Sequence, residues 1–540
     1  MTDLSASTNN INILLAFPML IRQIILFLLL FPAVSQAQLP SDFKTLAERI
    51  KSGEVKMVSG CLLQSPRHTA EYYLSSKKGL LWTNGGALAK AFPELLKAIL
   101  QSEKHGLNPE RYHLTKLSNP QALSNNDLDL LATDAFFSQA IHRSSGAVFT
   151  QKLDPDWHLI PLQKNPTEVL NQLSNSGNGV LSTLDALWPH HPEYMALLAE
   201  RNRIVGLGKN IAVQIPPGPV LKPGVSNERV TLLKTRLLGP GEHSNGYDDS
   251  LRIAVVSFQE AAGLEADGIV GQATLDMLNA TPASFIDKID ANLERWRWLP
   301  HELPPVMLRV NIAAFQLRAI QNNENAFSMK VVVGKPYRNT PVFTETLKYM
   351  EINPYWNVPH KLATADKLPM LKTNPSDLEK QGFEVQIPPS DKYVPLSRVD
   401  WSKVSRRSFN YQLRQKPGVH NALGQIKFMF PNKFSIYLHD TNDKKLFNKQ
   451  ERSFSSGCIR LSEPIKLAQW LLGNESRMEE AGNIDAMIEK GKTVRIHLNR
   501  PVPVYIVYFT AFLDDTGNIS FRKDLYLRDK AIITELRKAD

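Results

Sequence analysis

Cysteine is nearly absent from this 540-residue chain, which holds only Cys61 and Cys458. Two cysteines cannot make a disulfide framework, although a single pairing of distant residues is still open to them. Histidines and acidic residues at four-ligand metal spacing are also missing, so no zinc site is implied. The expected cofactor is none, and the expected metal is none. No block of five to eight basic residues, no finger and no ribonucleoprotein motif occurs. Nucleic acid is therefore not an expected partner, despite a formal charge of +10 and a pI near 9.3. Sixty-three Lys and Arg against 53 Asp and Glu instead favour contact with an anionic polymer or a membrane surface. The length and a 43% hydrophobic content exceed what one core usually serves, which predicts several domains.

The first residues read as export information. ILLAFPMLIRQIILFLLLFPAVSQAQ sets Arg22 before an apolar run from Ile24 to Val34, then offers Ser35-Gln36-Ala37 as a small-x-small cleavage site. Residues 1–37 are thus a signal peptide or, counting the apolar stretch at 13–21, a membrane anchor. Both readings place the remaining chain outside the cytoplasm.

Residues 40–215 predict a helical scaffold. GGALAKAFPELLKAILQSEKHGLNPERY carries apolar residues at helical spacing, with Gly106 and Pro109 supplying a stop and a turn. IPPGPVLKPG then reads as a connector. A compact unit follows at 226–282, with three predicted helices around VTLLKTRLLG, LRIAVVSFQEAAGL and ATLDMLN. AVVSFQEAAGLEADGIVGQATLDML, 254–278, resembles the peptidoglycan-binding domain of cell-wall enzymes, and the resemblance adds a glycan partner. From about 300 to 500, segments rich in valine, isoleucine and aromatics predict a mainly β domain, with strands over 425–430, 435–440 and 493–498 among others. Its stretch at 361–415 is charged and loop-like and reads as an inserted capping region. Residues 501–540, including VYIVYFTAF, are expected to form a C-terminal β extension. The expected fold class is multidomain α+β.

FSSGCIRLSEP places Cys458 beside a glycine and near Arg460. A thiol becomes an effective nucleophile through a modest lowering of its pKa and a neighbouring base. His439, ending the strand predicted at IYLHDT, supplies that base at a sequence separation that permits a hydrogen bond. Gly457 lets the backbone approach an oxyanion, and N–H groups around 457–458 would stabilise it. Arg460 suits a substrate carboxylate or a thiolate. A structural cysteine with a core histidine fits the same residues.

GQIKFMFPNKFSIYLHDT followed by RSFSSGCIRLSEPIKLAQWLL resembles the catalytic domain of L,D-transpeptidases of the YkuD type. Their signature is a histidine, a gap of 14–17 residues, then Ser or Thr, His, Gly and Cys. Here His439 precedes Ser455, Gly457 and Cys458 at the right spacing. Ser456 departs from it, standing where the second histidine is usual. WTNGGALAKAFPELLKAILQSEKHGLNPERY, ANLERWRWLP, VVVGKPYRNTPVF, NPYWNVP and RQKPGVHNALGQIKFMFPN also resemble segments of the large periplasmic members.

The resemblance implies 3-to-3 cross-linking of peptidoglycan. Cys458 would be the nucleophile and His439 the general base, with Gly457, Ser456 and Asp440 supporting the motif. Arg460, Tyr411, Arg414, Asn421 and Trp356 are the candidate substrate-binding residues. Implied partners are peptidoglycan stem peptides and glycan strands, the inner membrane and other cell-wall synthesis proteins. The implied location is a Gram-negative periplasm. The alternatives are an inert peptidoglycan-binding scaffold, a wall-peptide hydrolase and a lipoprotein-anchoring transpeptidase.

Overall fold

The computed structural model of the protein describes residue 39 and residues 41–538, apart from 77–78, 84–85, 160, 162, 177–178 and 207–212. The export segment expected over 1–37 lies outside them. No helix among the described residues is long and apolar enough to cross a membrane.

The N-terminal unit is helical, built from α1 (Ser41–Lys51), α2 (Pro66–Ser75), α3 (Phe92–Gln101), α4 (Asn125–Ser145), α5 (Pro166–Ser176) and α6 (Pro192–Gly206). Leu95, Ala98 and Ile99 of α3 recur at helical spacing and are buried on one face. Helix α4 is central and buried on nearly every side, polar residues included. Its Asp129 accepts from the backbone of Leu81 (2.8 Å) and Trp82 (2.7 Å), and its Asp134 from Gln64 (2.9 Å) and Ser65 (2.8 Å). Both buried carboxylates thereby satisfy loop donors that would otherwise be stranded away from water.

The small unit has helices α7 (Glu228–Leu238), α8 (Asp249–Ala262) and α9 (Gln272–Leu278) around its own core of Val230, Leu233, Leu251, Val255, Leu275 and Leu278. Gly268 adopts φ +69°, and a Cβ there would sit 2.9 Å from Arg252 Cγ. Gln259 fixes that turn, accepting from Gly268 N at 2.9 Å and donating to the Ile269 carbonyl at 2.9 Å.

Helix α10 (Pro282–Arg297) joins the scaffold to the C-terminal unit and completely buries Asp290, Asn292, Glu294, Arg295 and Arg297. Glu294 takes Arg297 Nε at 2.9 Å and Nη2 at 2.6 Å. Its other oxygen accepts from Val148 N (2.8 Å) and Trp298 Nε1 (3.1 Å), while Arg297 donates to the His105 carbonyl at 3.0 Å. One helix turn thus pins two scaffold loops, and the scaffold and C-terminal unit share a single hydrophobic core.

In that unit β1 (Val306–Asn311), β2 (Gln316–Gln321), β3 (Glu324–Gly334) and β4 (Phe343–Ile352) begin a nine-stranded sheet. An insertion follows, with β5 (Trp356–Asn357), β6 (Phe383–Gln386), β7 (Tyr393–Val394) and β8 (Gln412–Gln415). The sheet resumes with β9 (Ile426–Met429), β10 (Leu438–His439), β11 (Ser453–Ser455), β12 (Ile459–Leu461) and β13 (Val494–Val507). Its order is β11-β3-β12-β10-β9-β4-β13-β1-β2, and β3 also pairs with β2, so the sheet curls back on itself.

The sequence-based reading of 361–415 as loop-like is corrected. The insertion has a four-stranded sheet, β5-β8-β6-β7, and a core including Leu371, Leu378, Phe383, Val385, Trp401 and Leu413. Its apolar residues are scattered among charges, so no periodic run advertised them. It leaves and re-enters the main sheet at one point, where Asn353 N donates to the Gln425 carbonyl at 2.8 Å. The 501–540 segment is also not simply a β extension. Strand β13 runs through residue 500, a short hairpin of β14 (Ala511–Leu513) and β15 (Ile519–Phe521) follows, and the described chain ends in helix α11 (Asp529–Arg537).

Candidate active site

Strands β10 and β12 are parallel neighbours, with Leu438 opposite Ile459 and His439 opposite Arg460. Leu438 and Ile459 anchor the pair in the core at 0% exposure, which fixes the register and sends His439 and Arg460 toward a cavity of about 610 Å³. Cys458, Ser455, Ser456, Tyr437, Trp356 and Leu423 also line it.

The turn before Cys458 is held from three directions. Gly457 adopts φ +118°, and a Cβ there would meet Ile436 Cδ1 at 3.1 Å, so glycine is required. Ser455 Oγ donates to the Cys458 carbonyl at 2.5 Å and accepts from Gly457 N at 3.1 Å. Buried Thr340 donates to the Gly457 carbonyl at 2.7 Å. The expectation that Gly457 offers its N–H to an oxyanion is therefore corrected, because Ser455 already occupies that donor. The Cys458 N–H, by contrast, has no hydrogen-bond partner among the described residues.

Cys458 is half-buried, and neither cysteine is in a disulfide. Its thiol lies 3.7 Å from the Ser435 carbonyl, with no hydrogen bond to His439. Burial pushes the thiol pKa up, opposed by the backbone and hydroxyl of Tyr437 and by the charges of Lys427 and Arg460. His439 is 4% exposed, and its Nδ1 donates to the Asp440 carbonyl. That acceptor fixes the proton on Nδ1 and leaves Nε2 as the basic nitrogen. Burial first, then Arg460, lowers the imidazole to about 3, while the Asp440 and Leu423 carbonyls favour its protonated form. At neutral pH the site rests as a neutral imidazole and an unionised thiol.

Asp440 orients His439 through its backbone. Its carboxylate binds Gln425 N (2.9 Å) and the Lys444 ammonium instead. Ser456 is exposed and accepts from Arg338 Nη1 at 3.0 Å, and Arg338 also binds Asp366 of the insertion at 2.7 and 2.9 Å. Arg460 donates weakly to Thr441 Oγ1 at 3.4 Å and its buried Nε has no acceptor among the described residues.

Three expected substrate-binding residues do not line the cavity. Tyr411 packs on Trp401 and Phe409 in the core of the insertion. Arg414 pairs with Glu384 and lies 3.6 Å from the Tyr393 ring centroid. Asn421 is buried and ties a turn, donating to the Pro354 (3.0 Å) and Lys416 (2.9 Å) carbonyls. Each is consumed by local structure, whereas Trp356, on the strand that opens the insertion, does reach the cavity.

Sequence reasoning missed Tyr437, Arg338 and Asp366. Strand alternation puts Tyr437 and His439 on one face, so the period of two in SIYLHD was an available signal. Arg338 and Asp366 meet only through the fold and had none.

The site coincides with recognisable domains. Residues 305–504 match the profile of the YkuD L,D-transpeptidase catalytic domain, 67–200 match a scaffold domain, and 226–278 match one described as "Putative peptidoglycan binding domain". A Haemophilus influenzae protein named "Putative L,D-transpeptidase" is 31% identical over 250 residues, covering 46% of this chain and 50% of that protein. A Bacillus licheniformis protein named "Probable N-acetylmuramoyl-L-alanine amidase" is 34% identical over 99 residues, 17% of this chain and 28% of that one. The matches thus span half or less of these curated relatives. A crystal structure of an L,D-transpeptidase from Xylanimonas cellulosilytica aligns over 54% of this chain and all of that chain, at 13% identity and a TM-score of 0.17. The chain therefore carries a YkuD L,D-transpeptidase catalytic domain, joined to a peptidoglycan-binding domain and a helical scaffold domain.

Proposed function

We propose that this protein forms 3-to-3 peptidoglycan cross-links by acyl transfer through Cys458. The observation that carries the reading is the meeting of Cys458, His439 and Arg460 in one cavity of the transpeptidase domain. In the proposed cycle, Cys458 Sγ attacks the carbonyl carbon of the third residue of a tetrapeptide stem while its proton passes to His439 Nε2. The peptide C–N bond breaks, the leaving D-alanine nitrogen takes the proton, and a thioester remains. The side-chain amine of a diaminopimelate on a second stem then attacks the thioester and gives up a proton, and the thiol is restored.

In this reading the resting pair is neutral, and the thiol proton moves to His439 as Cys458 becomes the nucleophile. Charge appearing on sulfur would face Arg460 and Lys427, and charge on the substrate oxygen the Cys458 N–H and the Tyr437 hydroxyl. The thiol must first turn from the Ser435 carbonyl toward His439. No activating nucleotide is needed, since one peptide bond is exchanged for another through a thioester.

This reading places the protein outside the cytoplasm, in a Gram-negative periplasm, with residues 226–282 holding glycan strands and 1–37 directing export or anchoring at the inner membrane. The test is incubation of the full chain with a disaccharide tetrapeptide, followed by separation of products. Release of D-alanine with dimers joined through two diaminopimelate residues supports it. D-alanine release without dimers, in the presence of an acceptor stem, identifies a hydrolase, and no turnover with retained binding to sacculi identifies an inert scaffold.

A further inference from the structure

A second cavity, of about 210 Å³, lies between the scaffold, helix α10 and the C-terminal segment. Asp156 and Asn339 line both this cavity and the catalytic one. They form the partition between the two, with Asn339 Nδ2 donating to Asp156 Oδ2 at 2.6 Å.

Its walls carry two buried guanidiniums. Arg295 is 0% exposed and Arg528 is 8% exposed, and both lie about one ring away from Tyr508, at 5.1 and 5.0 Å from its centroid. Arg295 spends Nη1 on Asp529 at 2.6 Å, but its Nε and Nη2 have no hydrogen-bond acceptor among the described residues. Arg528 pairs through Nε with Asp154 at 2.9 Å, while its Nη1 and Nη2 lack hydrogen-bond acceptors among the described residues and Asp156 stands 3.7 Å from Nη2. Four buried cationic donor atoms without acceptors are costly to leave dry.

Charges of both signs on these walls bear on the ligand class. Arg295 and Arg528 share the lining with Asp154 and Asp156, while Asp529 pairs with Arg295 from outside it. A simple anion would satisfy the arginines but face two carboxylates, and a simple cation the reverse. A molecule bearing both a carboxylate and an ammonium satisfies both walls, and the indoles of Trp157 and Trp298 leave an apolar surface for a short side chain. The volume suits a molecule of a few heavy atoms, since a water occupies about 30 Å³ of liquid.

We propose that this cavity binds a small zwitterionic α-amino acid, its carboxylate on Arg295 and Arg528 and its ammonium on Asp154 and Asp156. The site stands on these contacts alone, whereas its link to chemistry next door rests on the transpeptidation reading, in which the leaving group is such a molecule.

The test is calorimetric titration of the full-length Cys458→Ala chain with D-alanine, with acetate and methylammonium as single-charge probes. That background keeps the result separate from turnover. Ala531→Phe, which fills the cavity from α11, is measured beside it, with Arg528→Lys as a second variant that keeps charge but loses the guanidinium fork. The expected result is saturable D-alanine binding, at least about tenfold weaker for either single-charge probe, and lost in whichever variant unfolds at the parent temperature. Absence of saturable binding, or binding unchanged by a folded variant, overturns the site and means the donors are met by water alone.

Discussion

Arg338 grips Asp366 through both terminal nitrogens while donating to Ser456, so one guanidinium joins the insertion to the turn that presents Cys458. The Arg338 hydrogen bond, ahead of their charge attraction, holds the Asp366 carboxyl below its usual range. Ser456 stands where the signature that this chain resembles has a second histidine, and here a cation from another loop fills the neighbourhood.

If this bridge positions the insertion over the catalytic cavity, breaking it changes catalysis more than folding. Asp366→Asn and Arg338→Gln should each lower kcat/KM by about tenfold, while stability changes by no more than about 1 kcal/mol because the pair is partly exposed and screened. The double variant should lose little more than either single one. Steady-state kinetics beside thermal unfolding checks this.

The low pKa of His439 sets a pH expectation. With the folded value near 3, the imidazole stays neutral and able to accept a proton throughout the range from 5 to 8, so activity should show no acid limb from this group there. Folding linkage has the opposite consequence. The unfolded histidine gains a proton near 6.5 and the folded one does not, so this stabilising contribution is present above that value and lost as pH falls from 6.5 toward 3. His439→Ala should cut the acylation rate by about 10²–10⁴-fold and flatten that acid destabilisation. Pre-steady-state acylation and unfolding midpoints against pH read the two effects.

His113 behaves in reverse. Burial lowers its pKa, but the hydrogen bond to Asp134 and the nearby Cys61 thiol outweigh burial and raise it to about 9. The charged form therefore supports the fold fully below about 6.5, and that support is lost as pH rises through 9. Thermal midpoints of wild type should fall across this window, and His113→Gln should show a lower midpoint with a weaker slope. Equal slopes in the two proteins contradict the assignment.

Glu294 and Arg297 are both fully buried in α10. Removing one partner strands the other charge, so Glu294→Ala should destabilise the chain by about 3–5 kcal/mol. Chemical denaturation monitored by tryptophan fluorescence tests it.

Much of this was legible in the sequence because local chemistry dictated it. Gly457 before Cys458, the alternation around His439 and the glycine-punctuated turn at 268 each reflect a backbone requirement that only certain residues meet. The continuous strand β13 was instead read as two separate strands on either side of residue 500, since Asn499 to Pro503 interrupt its β-forming residues where its pairing with β4 shifts register. Tyr411, Arg414 and Asn421 were misplaced because an aromatic, a cation and an amide look alike in sequence whether they face a substrate or a neighbouring strand. Their partners Trp401, Glu384 and Pro354 are set by the tertiary fold of the insertion.

The central claim is that Cys458 carries the acyl group. Intact-mass measurement of the full chain mixed with a disaccharide tetrapeptide, before any acceptor is added, tests it most directly. The account predicts a mass increase equal to the donor less D-alanine, mapped by peptide sequencing to Cys458, absent in Cys458→Ala and slow to form in His439→Ala. An adduct that persists in Cys458→Ala, or D-alanine release with no adduct on rapid quenching of wild type, would contradict it.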